Sequence, residues 1–388
     1  MRRLVLSSLI LLSPLAASAA AYVPQGRCEG WPRLVLNSPP GTCVALVASQ
    51  ADGLRFPRRL LEVAPGRFWI VDMGSWEPKR GRLLEMSLPA EPGARPAIKV
   101  LADGLDRPHG LVRGPDGKVY VGEAGAIWRT PVSTPLQREV VLDKLPDDGA
   151  HPLKEMAFGD DGMLYVNVGS FSDACRNDTQ AQPAPCPELQ GAAPRAAIYQ
   201  VTLGSGAAVV KPFASGLRNS LALAWLPGVG LLEAENAIDY SDAQLPPEKL
   251  NLVREGRHYG WPYCIGQGVA ARGYEGRFDC KTSQPPMALW PAHAAPLAML
   301  APSNGPLKGQ VLAAWHGYRP VGRRIVSFTV DAKGHASAPR DLIGDWSAKP
   351  GVRPMGTPAG LTVDGQGRLW IVEDRNRSVL MLGREDKP

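Results

Sequence analysis

One pattern recurs six times in this 388-residue sequence, and the recurrence limits the folds that the chain can adopt. Each copy has a short apolar strand, a turn rich in Pro, Gly and Asp, and a second strand of β-branched and aromatic residues, which is typical of a β-hairpin. A degenerate copy is GPLKGQVLAAWHG at 305–317. The clear copies are FPRRLLEVAPGRFWIVDMG at 56–74, RPHGLVRGPDGKVYVGEAG at 107–125, KEMAFGDDGMLYVNVGS at 154–170, RNSLALAWLPGVGLLEAEN at 218–236 and TPAGLTVDGQGRLWIVEDR at 357–375.

The spacing of the hairpins favours a propeller. Equivalent second-strand positions recur at intervals of roughly 45 to 80 residues, which is the scale of propeller blades with loop insertions. Those positions are Phe68, Val119, Leu164, Leu231, Val311 and Leu369. The sequence therefore predicts an all-β, six-bladed β-propeller with long top-face loop insertions, formed as a single domain by residues 20–388. A β-sandwich with similar hairpins is the alternative, but sandwiches seldom repeat one motif at such long intervals.

Two long segments do not follow the repeat, and helices are not expected. The insertions lie around 171–195 and 239–290, and we expect them to overhang one face of the propeller, where loops usually carry function. The sequence contains 42 glycines and 38 prolines, which would break most amphipathic helices.

The first residues resemble an export signal. Arg2 and Arg3 precede an apolar run, and Ala17-Ser18-Ala19 has the form of a signal-peptidase site. We therefore interpret residues 1–19 as a cleaved signal peptide, with a retained anchor as the alternative, and expect a periplasmic or secreted protein. The apolar core of the leader is too short to span a bilayer, and no later stretch reaches about 18 apolar residues, so no membrane span is predicted.

Six cysteines agree with an oxidising compartment. They form three sequence-local pairs, which we predict to be disulfides although six cysteines allow 15 connectivities. The pairs are Cys28 with Cys43, Cys175 with Cys186, and Cys264 with Cys280. No pair has C-x-x-C spacing, which argues against a zinc ribbon. The net charge of +6 is small and scattered, so nucleic acid is not an expected partner.

Polar residues that precede the innermost strands of different blades should converge on the top face. Arg218, Asn219, His109 and His151 occupy such positions. A neutral imidazole beside an arginine can act as a general base near neutral pH, because the positive charge lowers its pKa. A solvated histidine and a structural salt bridge of Arg218 are the alternatives.

Acidic and amide groups end the fourth hairpin. Glu235, Asn236 and Asp239 offer oxygens of the kind that calcium selects. A solvated loop without a metal is the alternative, because such loops contain the same residue types. A metal site here is therefore a hypothesis.

Four segments carry a resemblance to a known family. They resemble motifs of the soluble quinone-dependent sugar dehydrogenases, the glucose and sorbosone dehydrogenase family, and they follow the same order along the chain. The segments are HPLKEMAFGDDGMLYVNVGS at 151–170, GLRNSLALAW at 216–225, PPEKLNLVREGRHYGWPYC at 246–264, and AAPLAML followed by KGQVLAAWHG within 294–317. The ending PAGLTVDGQGRLWIVED extends the likeness to nearly the whole mature chain.

The resemblance implies a six-bladed propeller that holds pyrroloquinoline quinone and calcium on its top face. His151 matches the family base that takes a proton from a sugar hydroxyl, while hydride passes to the quinone. Arg218 and Asn219 match the pair that binds and polarises the quinone oxygen, with Arg218 catalytic as well. Ala237 and Ile238 stand where the family has glycine and proline carbonyls on calcium, and Glu235 and Asp239 complete the predicted metal set.

Several positions depart from the family pattern. Ser220 stands where the family has a proline, and Glu155 stands where it has a small residue. Ser170 replaces an aspartate of the glucose-oxidising branch. These changes leave the choice of sugar open.

The arginines that would bind cofactor carboxylates are less clearly matched. WHGYRPVGRR lacks the family H-G-S-x-N text, and Arg319, Arg323 or Arg324 could replace it. Arg353 and Arg375 are further candidates.

The leading hypothesis is an exported oxidoreductase that oxidises an aldose or sorbosone-like sugar and passes electrons to a cytochrome or a quinone. A calcium-dependent lactonase on a similar propeller would use His109 and His151 but would not explain the Arg-Asn motif. The third hypothesis is a non-catalytic propeller that binds a glycan or a protein.

Overall fold

The computed structural model describes residues 22–385 except 136, 177, 178, 205, 345 and 347–355. The predicted signal peptide and Arg353 therefore lie outside the described residues. The first strands of the described chain are β1 (Arg27–Cys28), β2 (Trp31–Leu34) and β3 (Thr42–Ala48).

The next twelve strands form three antiparallel four-stranded blades in sequence order. Blade one contains β4 (Pro57–Ala64), β5 (Arg67–Asp72), β6 (Gly81–Ser87) and β7 (Ala97–Leu105). Blade two contains β8 (Gly110–Arg113), β9 (Val119–Gly122), β10 (Ile127–Thr130) and β11 (Glu139–Leu142). Blade three contains β12 (Met156–Phe158), β13 (Leu164–Val168), β14 (Ala197–Thr202) and β15 (Val209–Ser215).

Three more blades complete the ring. Blade four contains β16 (Ala222–Leu226), β17 (Gly230–Glu235), β18 (Glu248–Leu252) and, after the small hairpin β19 (Cys264–Ile265) and β20 (Val269–Ala270), β21 (Ala288–Trp290). Blade five contains β22 (Pro296–Leu300), β23 (Val311–Trp315), β24 (Arg324–Phe328) and β25 (Arg340–Ile343). Blade six contains β26 (Pro358–Val363), β27 (Leu369–Glu373) and β28 (Ser378–Arg384).

The chain is thus a six-bladed β-propeller, and the prediction of its fold is confirmed. The repeated hairpins are the first two strands of the blades, and their turns contain residues such as Gly117 and Gly162, at φ 74° and 75°, a backbone region that favours glycine. The degenerate copy differs from the prediction. Its first strand, β22, lies upstream of residue 305, so the connection to β23 is longer than in the other hairpins.

Second strands are buried along most of their length. β9, β13, β17, β23 and β27 contain no residue exposed to solvent, because neighbouring blades cover both faces of each sheet. A strand that is buried on both faces is apolar at consecutive positions rather than alternate ones. This explains the continuous apolar letters from which the repeat was recognised.

The ring closes by pairing the two ends of the described chain. β3 pairs antiparallel with β28 as the fourth strand of blade six, and β2 and β1 extend that sheet outward. The Cys28–Cys43 disulfide links β1 to β3, with a Cα to Cα distance of 5.8 Å. The β3–β28 seam is held by backbone hydrogen bonds, and the disulfide fixes the outer strands to β3.

The helical segments of the described chain are short. They are the 3₁₀ turns Gln50–Asp52, Pro187–Leu189 and Cys280–Thr282. Within the described residues, no helix has the length and apolar character that a membrane crossing requires.

The two long insertions pack against each other as one cap. Cys175, Cys186, Trp261, Tyr263 and Tyr274 share one buried cluster, and the Tyr263 hydroxyl accepts a hydrogen bond from the Cys186 N–H at 2.7 Å. The disulfides Cys175–Cys186 and Cys264–Cys280 form as predicted. The second insertion is shorter than expected, because residues 248–252 and 288–290 are blade strands.

Candidate active site

A cavity of about 480 Å³ opens on the face at which the chain enters the innermost strands, the top face. Its walls come from residues at the start of the first strands and after the end of the second strands of several blades. Concave sites of this volume commonly hold small molecules and cofactors. The predicted residues that line it are His151, Arg218, Asn219, Ala237, Ile238, Asp239 and Arg319.

Arg218 is buried in one wall with every guanidinium nitrogen engaged. Its Nη2 lies 2.7 Å from Asp173 Oδ1 and 2.9 Å from Asp239 Oδ2. Nε donates to the Asp173 carbonyl at 3.1 Å, and Nη1 donates to the Asn236 carbonyl at 3.0 Å. The salt bridge considered as an alternative therefore forms, and it orients a cation that also borders the cavity.

The cap holds this arrangement from behind. Asp173 belongs to the first insertion, and its carbonyl also accepts a hydrogen bond from Trp261 Nε1 of the second insertion at 2.9 Å. Its carboxylate accepts the Asp239 N–H at 2.9 Å as well. The insertions thus position Arg218 relative to the cavity.

The position of the ring proton in His151 follows from its contacts. Nδ1 lies 2.9 Å from the Ser170 hydroxyl and 3.0 Å from the Ser170 carbonyl. Because the Ser170 hydroxyl donates its own hydrogen to the Ser172 carbonyl at 2.7 Å, Nδ1 must carry the ring proton. Nε2 is then the unprotonated nitrogen, which is the form that a general base requires.

The surroundings of His151 keep it neutral. Burial, and secondly the charge of Arg218, lower its pKa to about 3, while the Ser170 carbonyl acts in the opposite direction. The sequence had pointed to the arginine as the cause, but burial is the larger effect.

The predicted metal residues divide into two groups. Ala237, Ile238 and Asp239 border the cavity, but Glu235 does not. Glu235 is buried beneath the wall, where its Oε1 accepts the Arg218 N–H at 2.8 Å and Oε2 lies 2.7 Å from Lys249 Nζ.

Glu248 is an acidic residue of the cavity wall that the sequence analysis did not identify. Its carboxylate accepts hydrogen bonds from the backbone N–H groups of Ala237 at 2.7 Å and Ala295 at 3.1 Å. Burial raises the pKa of Glu248 to about 7, although both hydrogen bonds oppose the rise. The residue lies within the segment PPEKLNL that carried the resemblance, which was the available signal.

The candidate cofactor arginines lie at different places. Arg319 is half-buried in the cavity wall, and its guanidinium approaches the Ser241 and Asp242 carbonyls at 3.5 and 3.4 Å. Arg323 donates to the Tyr318 carbonyl on the rim. Arg375 is exposed and borders a side pocket beside the main cavity, and Arg324 is paired with Asp341 at 2.8 Å.

A charged cluster in the opposite wall was also missed. Asp374 forms a buried salt bridge with Arg58, and both its oxygens lie 3.0 Å from His316 Nε2. Burial alone would raise the pKa of Asp374, but His316 and Arg58 together lower it to about 2. Arg58 Nε also donates to His109 Nδ1 at 3.2 Å.

His109 does not border the cavity. It is fully buried below it, and burial followed by Arg59 and Arg58 lowers its pKa well below the usual value. The counterpart of Arg218 in the first hairpin is Arg55, because the Arg55 N–H donates to Asp72 at the end of β5 as the Arg218 N–H donates to Glu235 at the end of β17. Comparison of the repeats therefore does not identify Arg58.

The comparisons with known proteins agree with this fold. A family model described as Glucose / Sorbosone dehydrogenase matches residues 126–377. The chain belongs to this family. Membership in the glucose/sorbosone dehydrogenase family identifies the chain as a sugar oxidoreductase. A search of curated proteins found no significant match.

Solved structures with the same fold are distant in sequence. The calcium structure of a family AA12 carbohydrate-active enzyme from Trichoderma reesei has a TM-score of 0.71 at 19% identity, covering 93% of this chain and 98% of that chain. The holo pyranose dehydrogenase PQQ domain from Coprinopsis cinerea has a TM-score of 0.71 at 20% identity, covering 92% and 99%. The PQQ-bound aldose sugar dehydrogenase from Streptomyces coelicolor has a TM-score of 0.59 at 19% identity, covering 90% and 100%.

Proposed function

We propose that this protein is an exported quinoprotein that oxidises an aldose or a sorbosone-like sugar with pyrroloquinoline quinone and calcium in the top-face cavity. The observation that carries the proposal is the pairing, in one wall, of a neutral His151 with its Nε2 unprotonated and a fixed Arg218 cation. Three disulfides support export, because they persist in oxidising compartments.

The polar groups of the wall support a hard cation. Asn219 Oδ1 is buried and has no hydrogen-bond partner among the described residues, although an oxygen in such a place is costly to leave unpaired. Calcium would be held by this oxygen and by backbone oxygens of Ala237 and Ile238, with Asp239 beside them. Glu248 would fix that turn through its hydrogen bond to the Ala237 N–H rather than act as a ligand.

The charges of the cavity support an anionic, planar cofactor. Three arginines, Arg58, Arg218 and Arg319, border the cavity together with the aromatic rings of Trp76 and Tyr318. Guanidinium groups bind carboxylates, and aromatic faces pack on planar rings. When bound, pyrroloquinoline quinone supplies the oxidising group that accepts a hydride from the sugar carbon.

The residues of this chain would perform the proton and charge steps. The Ser170 carbonyl would hold the His151 Nδ1 hydrogen and keep Nε2 directed at the sugar hydroxyl, whose proton Nε2 would accept. Arg218 would provide a preorganised positive charge where negative charge develops, at no cost of reorganisation. The electrons would then leave to a cytochrome or a quinone.

Reconstitution tests the proposal directly. The purified protein is mixed with pyrroloquinoline quinone and calcium, and the quinone absorbance is followed while aldoses and an artificial electron acceptor are added. We expect stoichiometric quinone binding and sugar-dependent bleaching. His151→Gln should lower kcat by a factor of about 100 to 10,000 while quinone binding is retained.

His335→Gln is the matched control, because His335 is an exposed histidine that pairs with Asp331 far from the cavity. The His335→Gln variant should have the same kcat as the unaltered protein. Failure to bind the quinone would overturn the proposal and leave the lactonase or the binding propeller to be tested by lactone hydrolysis without an acceptor.

A further inference from the structure

A side pocket of about 350 Å³ adjoins the main cavity. Phe56, Trp76, Tyr318 and Asp374 border both spaces, so the two lie side by side. The remaining wall is formed by Arg55 ahead of β4, by the turn after β5, and by Arg375 and Arg377 in the turn after β27.

The arginines of the side pocket have no anionic partner in the described part of the chain. Arg55, Arg375 and Arg377 are exposed, and none of their guanidinium groups lies within ion-pair distance of a described carboxylate. The one acidic residue of the pocket, Asp374, is already paired with Arg58 and His316. The pocket therefore has an uncompensated positive charge.

The positive charge extends along the rim. Burial and, secondly, repulsion from Arg375 lower the pKa of Arg323, so these two cations lie close together. Like charges that gather without counter-charges disfavour the folded state, and an anion bound between them would remove the repulsion.

Aromatic rings occupy the junction between the two spaces. Trp76 is 56% exposed and Tyr318 is 60% exposed, so their ring faces are accessible to a ligand. The Arg375 guanidinium lies 5.6 Å from the centroid of the Tyr318 ring. A sugar ring has C–H groups on its faces that pack on aromatic rings and polar groups on its edge that arginines can reach.

We propose that the side pocket binds an acidic sugar residue through its carboxylate, next to the sugar that is oxidised in the main cavity. The inference rests on the proposed function, and it makes the substrate a uronate-bearing saccharide rather than a neutral one. The carboxylate accepts hydrogen bonds from Arg375, Arg377 and Arg55, and the sugar ring packs on Trp76 or Tyr318.

The dimensions favour a small ligand over an acidic protein. The space is a concave pocket with the volume of a small-molecule site, whereas stable protein partners bury about 1,200 Å² or more of surface. The alternative source of a carboxylate is the quinone cofactor itself, and the experiment separates the two.

The test compares two disaccharides that differ only at one carbon. Cellobiose and cellobiouronic acid are titrated by calorimetry into the protein without quinone or electron acceptor, at low salt. We expect the acid to bind at least about tenfold more tightly, a preference that falls as salt is added. Arg375→Gln/Arg377→Gln should reduce the preference to near one without changing cellobiose binding.

Arg340→Gln/Lys333→Gln is the control of equal charge change, because Arg340 begins the outer strand β25, Lys333 lies in the turn before it, and neither borders the two spaces. It should keep the preference. Equal binding of the two sugars to the unaltered protein, or a preference that survives in the double variant, would overturn the inference. In a separate titration with pyrroloquinoline quinone, a double variant that loses quinone affinity but keeps the sugar preference would assign these arginines to the cofactor and overturn the inference as well. Because no quinone is present in the titration, its outcome is independent of whether the dehydrogenase proposal holds.

Discussion

His151 lies where its surroundings set its protonation state. Burial is the main reason that its pKa falls to about 3, and the Arg218 charge contributes second. The imidazole is therefore neutral across the physiological range, ready to accept a proton but weakly basic. An anionic cofactor that neutralises Arg218 would raise this basicity, so binding and activation of the base would be linked.

Arg218→Leu should raise the pKa of His151. The increase should be less than half of the distance to the usual value, because burial remains and is the larger cause. The histidine Cε1–H resonance followed against pH measures it. Arg340→Leu, a surface substitution, should leave the pKa of His151 unchanged. An unchanged His151 pKa in Arg218→Leu would show that this arginine has no influence on the histidine.

The candidate residues that the sequence identified came mainly from the family resemblance. His151, Arg218 and Asn219 line one cavity, and the sequence placed each of them ahead of an innermost strand. Asp374 and His316 were not identified, because they follow second strands of blades five and six and become neighbours only when the ring is assembled. Nothing local in the sequence indicates which residues meet across the cavity.

At the scale of the element, blade four combines the Arg218 wall with a buried acidic group. Glu233 on β17 accepts a hydrogen bond from Asn251 Nδ2 of β18 at 2.7 Å, and the Ser220 hydroxyl also interacts with its carboxylate. Burial and then the nearby Glu235 raise the pKa of Glu233 above its ordinary value of 4.5.

Glu233→Gln should change how stability depends on pH. A carboxyl whose pKa is raised by folding contributes stability that is complete below pH 4.5 and is lost as the pH rises through its folded value. Glutamine does not titrate, so the variant should gain stability relative to the unaltered protein from pH 4.5 upward, by at most about 1.4 kcal/mol per pH unit.

Urea unfolding at several pH values measures this difference. Glu139→Gln on the exposed strand β11 is the control and should show no such increase. A constant difference between pH 4.5 and 8 would mean that Glu233 is charged in the folded protein.

The hairpins could be predicted because each is specified by its own local sequence. The packing of the cap could not be predicted in this way. Both insertions were recognised from the absence of the repeat, and their disulfides from local cysteine spacing. Their mutual packing depends on Trp261 and Tyr263 reaching residues some 80 positions earlier in the chain, such as Asp173 at a separation of 88 and Cys186 at 77. Contacts of this range leave no periodic signal.

At the scale of the whole molecule, one ion pair joins the blades at the axis. Arg59 of blade one donates to the carbonyls of Leu221 at 3.0 Å and Leu297 at 2.6 Å and also to that of Ala359, which belong to blades four, five and six. Its charge is paired with the buried carboxylate of Glu155 at the start of blade three. The central channel is therefore closed by a residue that five blades hold in common.

Glu155→Gln should destabilise the entire ring. It leaves the Arg59 cation buried without its counter-charge, which typically costs about 3–5 kcal/mol. Urea unfolding with far-UV circular dichroism measures the loss, again with Glu139→Gln as the exposed comparison, for which a much smaller change is expected. A loss of similar size in the two variants would contradict a role for the axial pair.

The six-fold repetition was sufficient to predict the ring but not its closure. Six hairpins imply six blades, and the structure has six. The strand that completes blade six, β3, has no hairpin partner in the repeat pattern, because it pairs with a segment more than 330 residues later, such as Cys43 with Gly383. Nothing in the sequence of β3 indicates that β28 is its partner.

The pairing of β3 with β28 also sets an order of events during synthesis. A ribosome releases the chain from its N-terminus, so β3 is made first among the strands of blade six and its partner is made last. Five blades can be complete while the first strand still has an open edge. The ring closes only when β28 emerges, and a chain truncated before β28 is left with an unpaired strand edge that other molecules can join.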